Sequence, residues 1–179
     1  MARTSRAFGL LKSRNRAIAA RAQQTKTPSP LPKNRASVNN CPFCRIVGGE
    51  INATILFEDD LVLAFLDIAP INPGHTLLIP KEHHTSVTTV PADCLSRMIS
   101  LAPKLAQQIS RVVDGDGFNL HLANGACAGQ TVPHCHLHIV PRLPTDGFNW
   151  GWRSLDELPA DERQSLADAI RKRMQESQV

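Results

Sequence analysis

The chain has 179 residues and a formal net charge of +4. That length suits one domain with its own core plus an extra segment, and no window approaches the ~20 consecutive apolar residues of a membrane span. Five cysteines, an odd number with one close pair, argue against a secreted disulfide scaffold and for a reducing, intracellular compartment.

Charge divides the chain unevenly. Residues 1–40 hold nine Lys and Arg and no acidic residue, a balance of +9, whereas residues 41–179 carry −5. The basic excess therefore belongs to the first segment, and the folded part gives no case for specific nucleic-acid binding. Arg3, Arg6, Arg14, Arg16 and Arg21 punctuate an acid-free stretch in which Phe8, Leu10, Leu11 and Ile18 can share part of a helical face. Targeting to the mitochondrial matrix is one reading. A basic disordered extension on a cytoplasmic protein is the other, and binding to RNA or an anionic membrane is a third that lacks interleaved aromatics beyond Phe8. Pro28-Ser29-Pro30-Leu31-Pro32 reads as a linker.

The domain begins near Cys41. Cys41 to Val47 reads as a short helical turn ended by Gly48-Gly49. Ile55 to Glu58 and Val62 to Leu66 read as strands joined by a turn at Asp59-Asp60. Asn72-Pro73-Gly74 is a turn, and His75 to Ile79 a short apolar strand that Pro80 ends. Residues 92–113 carry Leu95, Met98, Ile99, Ala102, Leu105, Ala106 and Ile109 at a helical period, with Pro103 expected to kink or divide the helix. Asp114 to Gly117 is a turn. Phe118 to Leu122 alternates as a strand, with His121 on the face opposite Phe118, Leu120 and Leu122. Asn124 to Thr131 is a loop, 134–140 a strand, and Asp156 to about Met174 a charged helix. The order predicts an α+β fold with a mainly antiparallel sheet of about five strands, one long helix and one C-terminal helix. Trp150 and Trp152 fit a cap on a substrate slot, a dimer contact or core packing.

The run His134-Cys135-His136-Leu137-His138-Ile139-Val140 concentrates the chemistry. In an extended chain, alternate side chains share a face. Three imidazoles then line one side, while Cys135, Leu137 and Ile139 line the other. Each ring has a donor and an acceptor to satisfy. Imidazole is a nucleophile toward phosphorus and carbonyl centres, an acid–base group near neutral pH and a metal ligand. A second cluster, Cys41-Pro42-Phe43-Cys44, has the spacing of half a zinc site. A redox pair or two ordinary buried thiols are the alternatives, although the βαβ pattern of thioredoxin-like proteins is missing.

The histidine run resembles the His-x-His-x-His-x-x signature, x apolar, of the histidine triad, or HIT, nucleotide-binding family. The likeness covers roughly residues 41–152 in order. It includes Phe65-Leu66-Asp67-Ile68, Pro73-Gly74-His75 through His83, Asn124-Gly125 and Gly129-Gln130-Thr131-Val132. The C-terminal helix falls outside it, within a domain taken as 41–179. The resemblance implies that His136 is the nucleophile, forming a covalent nucleotidyl-histidine, with a backbone carbonyl on its other nitrogen. It implies that His138 and His75 meet the phosphate oxygens or the leaving group's proton. Thr131, where many relatives carry serine, Gln130, Asn124, Gly129 and the backbone N–H of Val132 would form the phosphate loop. Asp67 would hold the ribose hydroxyls. Phe43, Ile46, Leu66 and Ile68 would enclose a purine in an apolar slot. Taken alone, each has a plainer reading: a turn histidine at 75, a turn at Asn124-Gly125, a solvated loop at 129–131, a strand-end residue at 67, and core side chains.

In a zinc-bearing, Hint-like branch of the family, the ligands of one structural Zn2+ correspond to Cys41, Cys44, His83 and His134, with His84 a competing neighbour. No catalytic metal is expected. The resemblance also implies a homodimer with a continuous sheet, and a nucleoside phosphoramidase acting on AMP–amine or aminoacyl-adenylate conjugates. Val140-Pro141-Arg142 also fits a dinucleoside polyphosphate hydrolase, and a non-catalytic nucleotide-binding interaction protein is the remaining alternative.

Overall fold

The structure, a computed structural model, describes residues 40–149 and 159–176. The expectations for residues 1–39, for Trp150 and Trp152, and for the start of the last helix at Asp156 lie outside them. Five strands form one sheet in the order β1-β2-β3-β5-β4, every neighbouring pair antiparallel. They are β1 (Ile55–Glu58), β2 (Val62–Leu66), β3 (Thr76–Pro80), β4 (Gly117–His121) and β5 (Leu137–Arg142). The helices are α1 (Pro42–Val47), α2 (Ala92–Val112) and α3 (Ala160–Glu176).

Strands β2 and β3 are buried on both faces, which is why they read as continuous apolar runs. One face packs on α2. There Val62, Ala64 and Leu78 meet Met98, Ala102 and Ala106, together with Cys135, Leu137 and Ile139. On the other face Cys41 and Phe43 of the α1 segment pack with Leu63, Phe65, Leu77 and Ile79. The segment 134–140 lies between these layers, and its odd residues go to the α2 side.

Several boundaries differ from the expectation. Strand β5 starts at Leu137, not at residue 134, and runs to Arg142. His134 and His136 precede it because their chain bonds outside the sheet ladder: His134 N donates to Val132 O, and Cys135 N donates to His84 O. Pro80 does not end β3 early but is its last residue, opposite Val62. Pro103 does not divide α2, which stays helical through it. The hairpin between β1 and β2 turns where expected, because Asp59 Oδ1 accepts from both Leu61 N and Val62 N at 2.9 Å. Gly74 turns the chain into β3 at φ +86°, and a Cβ there would lie 2.6 Å from Ile109 Cγ2 of α2. Only glycine fits both constraints.

Candidate active site

The extended segment from His134 to His138 places its three imidazoles on the α1 side of the sheet. Phe43 sits under them, its ring centroid 5.8 Å from His134 and 5.3 Å from His136. The rings of His136 and His138 are 4.8 Å apart. His134 and His136 are buried, as is His75 from the start of β3.

The hydrogen bonds fix the tautomers. His136 Nδ1 lies 2.6 Å from the carbonyl oxygen of His134. A carbonyl only accepts, so Nδ1 carries a proton, and in the neutral ring the lone pair is at Nε2. The same carbonyl receives the Gln130 amide at 3.4 Å. His75 Nε2 and His138 Nδ1 are 2.9 Å apart. Burial pushes the His138 pKa down to about 4, helped by the charges that His136, His75 and His121 would carry. His75 is also lowered, by burial first, against the opposing pull of Asp67.

The phosphate loop holds itself together through the side chains expected to serve a ligand. Gln130 Nε2 donates to Thr85 O at 2.9 Å and to His134 O, and its Oε1 accepts from Gly125 N. Gln130 is therefore a brace rather than a free donor. Asn124 Oδ1 accepts from Ser86 Oγ and Val87 N, tying the loop to the segment after β3. Gly129 takes φ +88° to close a 3₁₀ turn, Thr131 is exposed and Val132 is partly buried. Asp67 Oδ1 accepts from Ala69 N, and its Oδ2 lies 3.6 Å from His75 Nδ1.

The four side chains expected around a base differ in burial. Phe43 is core and Ile46 packs beside it, whereas Leu66 is only half-buried and Ile68 stands fully exposed after the end of β2. A cleft of about 810 Å³ lies away from the histidines, lined by Pro103, Lys104 and Arg111 of α2 and Asp116 and Phe118 next to it.

Cys41, Cys44, His83 and His134 gather their ligand atoms within 4.8 Å of one another. His134 Nε2 donates to Pro80 O at 2.9 Å, which turns an unprotonated Nδ1 to the thiols, 3.4 Å from Cys41 Sγ and 3.6 Å from Cys44 Sγ. His83 Nδ1 is 3.2 Å from Cys44 Sγ. Around a tetrahedral zinc ion such N···S pairs are about 3.5 Å apart, so the donor set fits one. Burial and Cys41 push the Cys44 thiol up to about 12. A cation would have to displace that proton. His84 is outside the group, with Nε2 3.7 Å from Glu82 Oε2.

Two contributors escaped the sequence. The Pro80 carbonyl orients His134, and no side chain signals it. His121 lies opposite His138 in the β4–β5 register, with ring centroids 5.9 Å apart. Pairing the two predicted strands would have revealed it. Arg142 packs over the Phe148 ring at 3.9 Å, donates to Asn119 Oδ1 and meets Asp146.

An antiparallel five-stranded sheet carrying a buried histidine row beside a glycine loop defines a class of nucleotide-handling proteins, and the comparisons agree. A profile of the HIT domain matches residues 48–145. The chain is 37% identical over 139 residues to adenylylsulfatase HINT3 of Arabidopsis thaliana, covering 76% of this chain and 70% of that one. It is 36% identical over 122 residues to adenosine 5′-monophosphoramidase HNT1 of Candida albicans, covering 65% and 80%. A crystal structure of a HIT-family member from Bacillus subtilis superposes with TM-score 0.70 at 38% identity, covering 75% of this chain and 96% of that one. A zinc-bound histidine triad protein from Mycobacterium smegmatis superposes at 0.60 with 33% identity over the same shares. The chain belongs to the HIT family.

Proposed function

We propose that the protein is a nucleoside phosphoramidase. It releases AMP from an amine or aminoacyl conjugate through a covalent nucleotidyl-His136. One observation carries the reading: the His134 carbonyl takes the Nδ1–H of His136, so the neutral form of this buried ring offers its lone pair at Nε2. Attack on the α-phosphorus forms an N–P bond and expels the amine, and water then reverses the linkage. His75 and His138 supply protons, Thr131 and the Asn124–Val132 loop face the phosphate, and Asp67 holds the sugar diol. Phe43, Ile46, Leu66 and Ile68 border the purine.

Arg142 favours this reading over a dinucleoside polyphosphate hydrolase. A clamp on a second nucleotide needs a free cation, and Arg142 is engaged by Asn119, Asp146 and Phe148. The relatives named a phosphoramidase and an adenylylsulfatase both act, by those names, on adenylyl compounds.

The four-ligand cluster would hold a structural zinc ion, which would tie α1 to His134 and take no part in the chemistry. Strand β4 ends the sheet and exposes Phe118 (41%) and Leu120 (39%), which supports a homodimer that continues the sheet across this edge. Five free cysteines fit a reducing, intracellular setting, and no helix among the described residues is long and apolar enough to cross a membrane.

The test is a panel of AMP conjugates with wild type and His136→Ala. The variant should lose at least ~10³-fold in kcat, as expected for removal of a covalent nucleophile, while still binding AMP. Acid-quenched wild type should carry the nucleotidyl label on His136. Robust turnover by the variant would reject the proposal.

A further inference from the structure

His75 stands at a junction of two opposed groups. Its Nδ1 receives Ile71 N–H at 3.2 Å, which only donates, and faces Asp67 Oδ2 at 3.6 Å, which only accepts. The two groups suit two protonation states. In the neutral ring, Nδ1 is bare and accepts from Ile71, and Nε2–H donates to His138 Nδ1. His138 then carries its own proton on Nε2. In the doubly protonated ring, Nδ1–H faces the Asp67 carboxylate and the rest of the chain is unchanged. A proton can enter or leave at the Asp67 end while His138 keeps an Nε2–H.

We propose that Asp67 is a positioning residue for proton delivery, acting through His75 on His138, in addition to any contact with the sugar. The inference rests on the reading of His136 as nucleophile. Asp67 stabilises an extra proton on the His75–His138 pair, and the departing amine collects it. As His136 Nε2 bonds to phosphorus, the P–N bond breaks and its electron pair goes to the amine nitrogen. That nitrogen takes the His138 Nε2 proton, and His138 Nδ1 takes the His75 Nε2 proton. His75 ends neutral, with Nδ1–H on Asp67. When water attacks the nucleotidyl-histidine, the N–P electrons return to His136 and a water proton reloads the pair.

The charges around the pair set its balance. Burial, Arg142 and the neighbouring His136 and His121 oppose protonation, and among the groups facing it Asp67 is the one that favours it. Arg142 is fixed by its own partners, so Asp67 is the adjustable element.

Leaving groups of different basicity separate this role from sugar binding. Adenosine 5′-alkylphosphoramidate needs a proton on departure, whereas the 4-nitrophenyl ester of AMP leaves as a phenolate. With the full chain, Asp67→Asn should lower the ratio of kcat on the amide to kcat on the ester by about tenfold or more, within the range of general-acid catalysis. The same fall should appear with 2′,3′-dideoxy substrates, which have no diol to bind. His75→Asn, away from the sugar, should lower the ratio equally. The amide reaction needs the extra proton, so its kcat falls as pH rises, and in Asp67→Asn that fall should begin at lower pH. An unchanged ratio in both variants, or a fall confined to substrates with the diol, would overturn the proposal. Wild type inert toward both substrates, or His136→Ala active on them, would instead reject the underlying nucleophile assignment.

Discussion

The side chain of His134 donates to Pro80 O and points Nδ1 at two thiols, while its backbone oxygen accepts from His136. One residue therefore belongs to the ligand cluster and also orients the proposed nucleophile. Cys41→Ser should reduce bound zinc from about one ion per chain to well below one by elemental analysis, as a four-ligand site losing a thiolate requires. It should lower kcat as well, because His134 then keeps the Pro80 carbonyl but loses its hold on the Nδ1 side. Gly74 poses a purely conformational demand. Gly74→Ala combines φ +86° with a 2.6 Å approach to Ile109, and should cost about 2–4 kcal/mol in denaturant unfolding.

Helix α2 covers one face of the sheet through Met98, Ala102 and Ala106, all but fully buried. Met98→Ala should destabilise by about 2–5 kcal/mol, with the midpoint falling at constant m-value. This element was legible because its apolar spacing survives any local detail, and Pro103 changed nothing in its extent. The alternation of residues 134–140 was legible for the same reason: Cys135, Leu137 and Ile139 had to find a core. The place where β5 begins was not, because it depends on Cys135 bonding to His84, some fifty residues earlier. Gln130 looked like a ligand donor because sequence shows a group's capacity and not its partner. Its amide closes the loop instead, while Asn124 ties the loop down through its acceptor oxygen. The Cys-x-x-Cys pair and His83 came together as the family resemblance implied, while of the four side chains expected around a base, Phe43 is buried and Ile68 stands fully exposed.

At the scale of the whole molecule, acid should loosen the fold in a defined window. His134 and His138 are both lowered to about 4 from an ordinary 6.5, chiefly by burial. The unfolded chain therefore takes up protons that the folded one refuses. Their stabilising share is complete above about 6.5 and is lost as pH falls toward 4, so melting temperatures recorded across that interval should decline steadily. Release of a zinc ion from the proposed ligand set would add in the same direction, because the thiols regain their protons as pH falls. The exposed edge at β4 gives a separate expectation: size-exclusion chromatography with light scattering should report twice the chain mass. Charged substitutions at Phe118 and Leu120 should halve it.

The shared carbonyl at residue 134 makes sulfur chemistry relevant to a proposed reaction that uses none. Cys44 is only half-buried, and an alkylating or oxidising agent that reaches it would shift the His134 ring and, with it, the oxygen that sets the nucleophile's tautomer. Inactivation by such agents, in a background with the exposed Cys127 replaced by serine, should then track loss of the ion and leave nucleotide affinity largely intact.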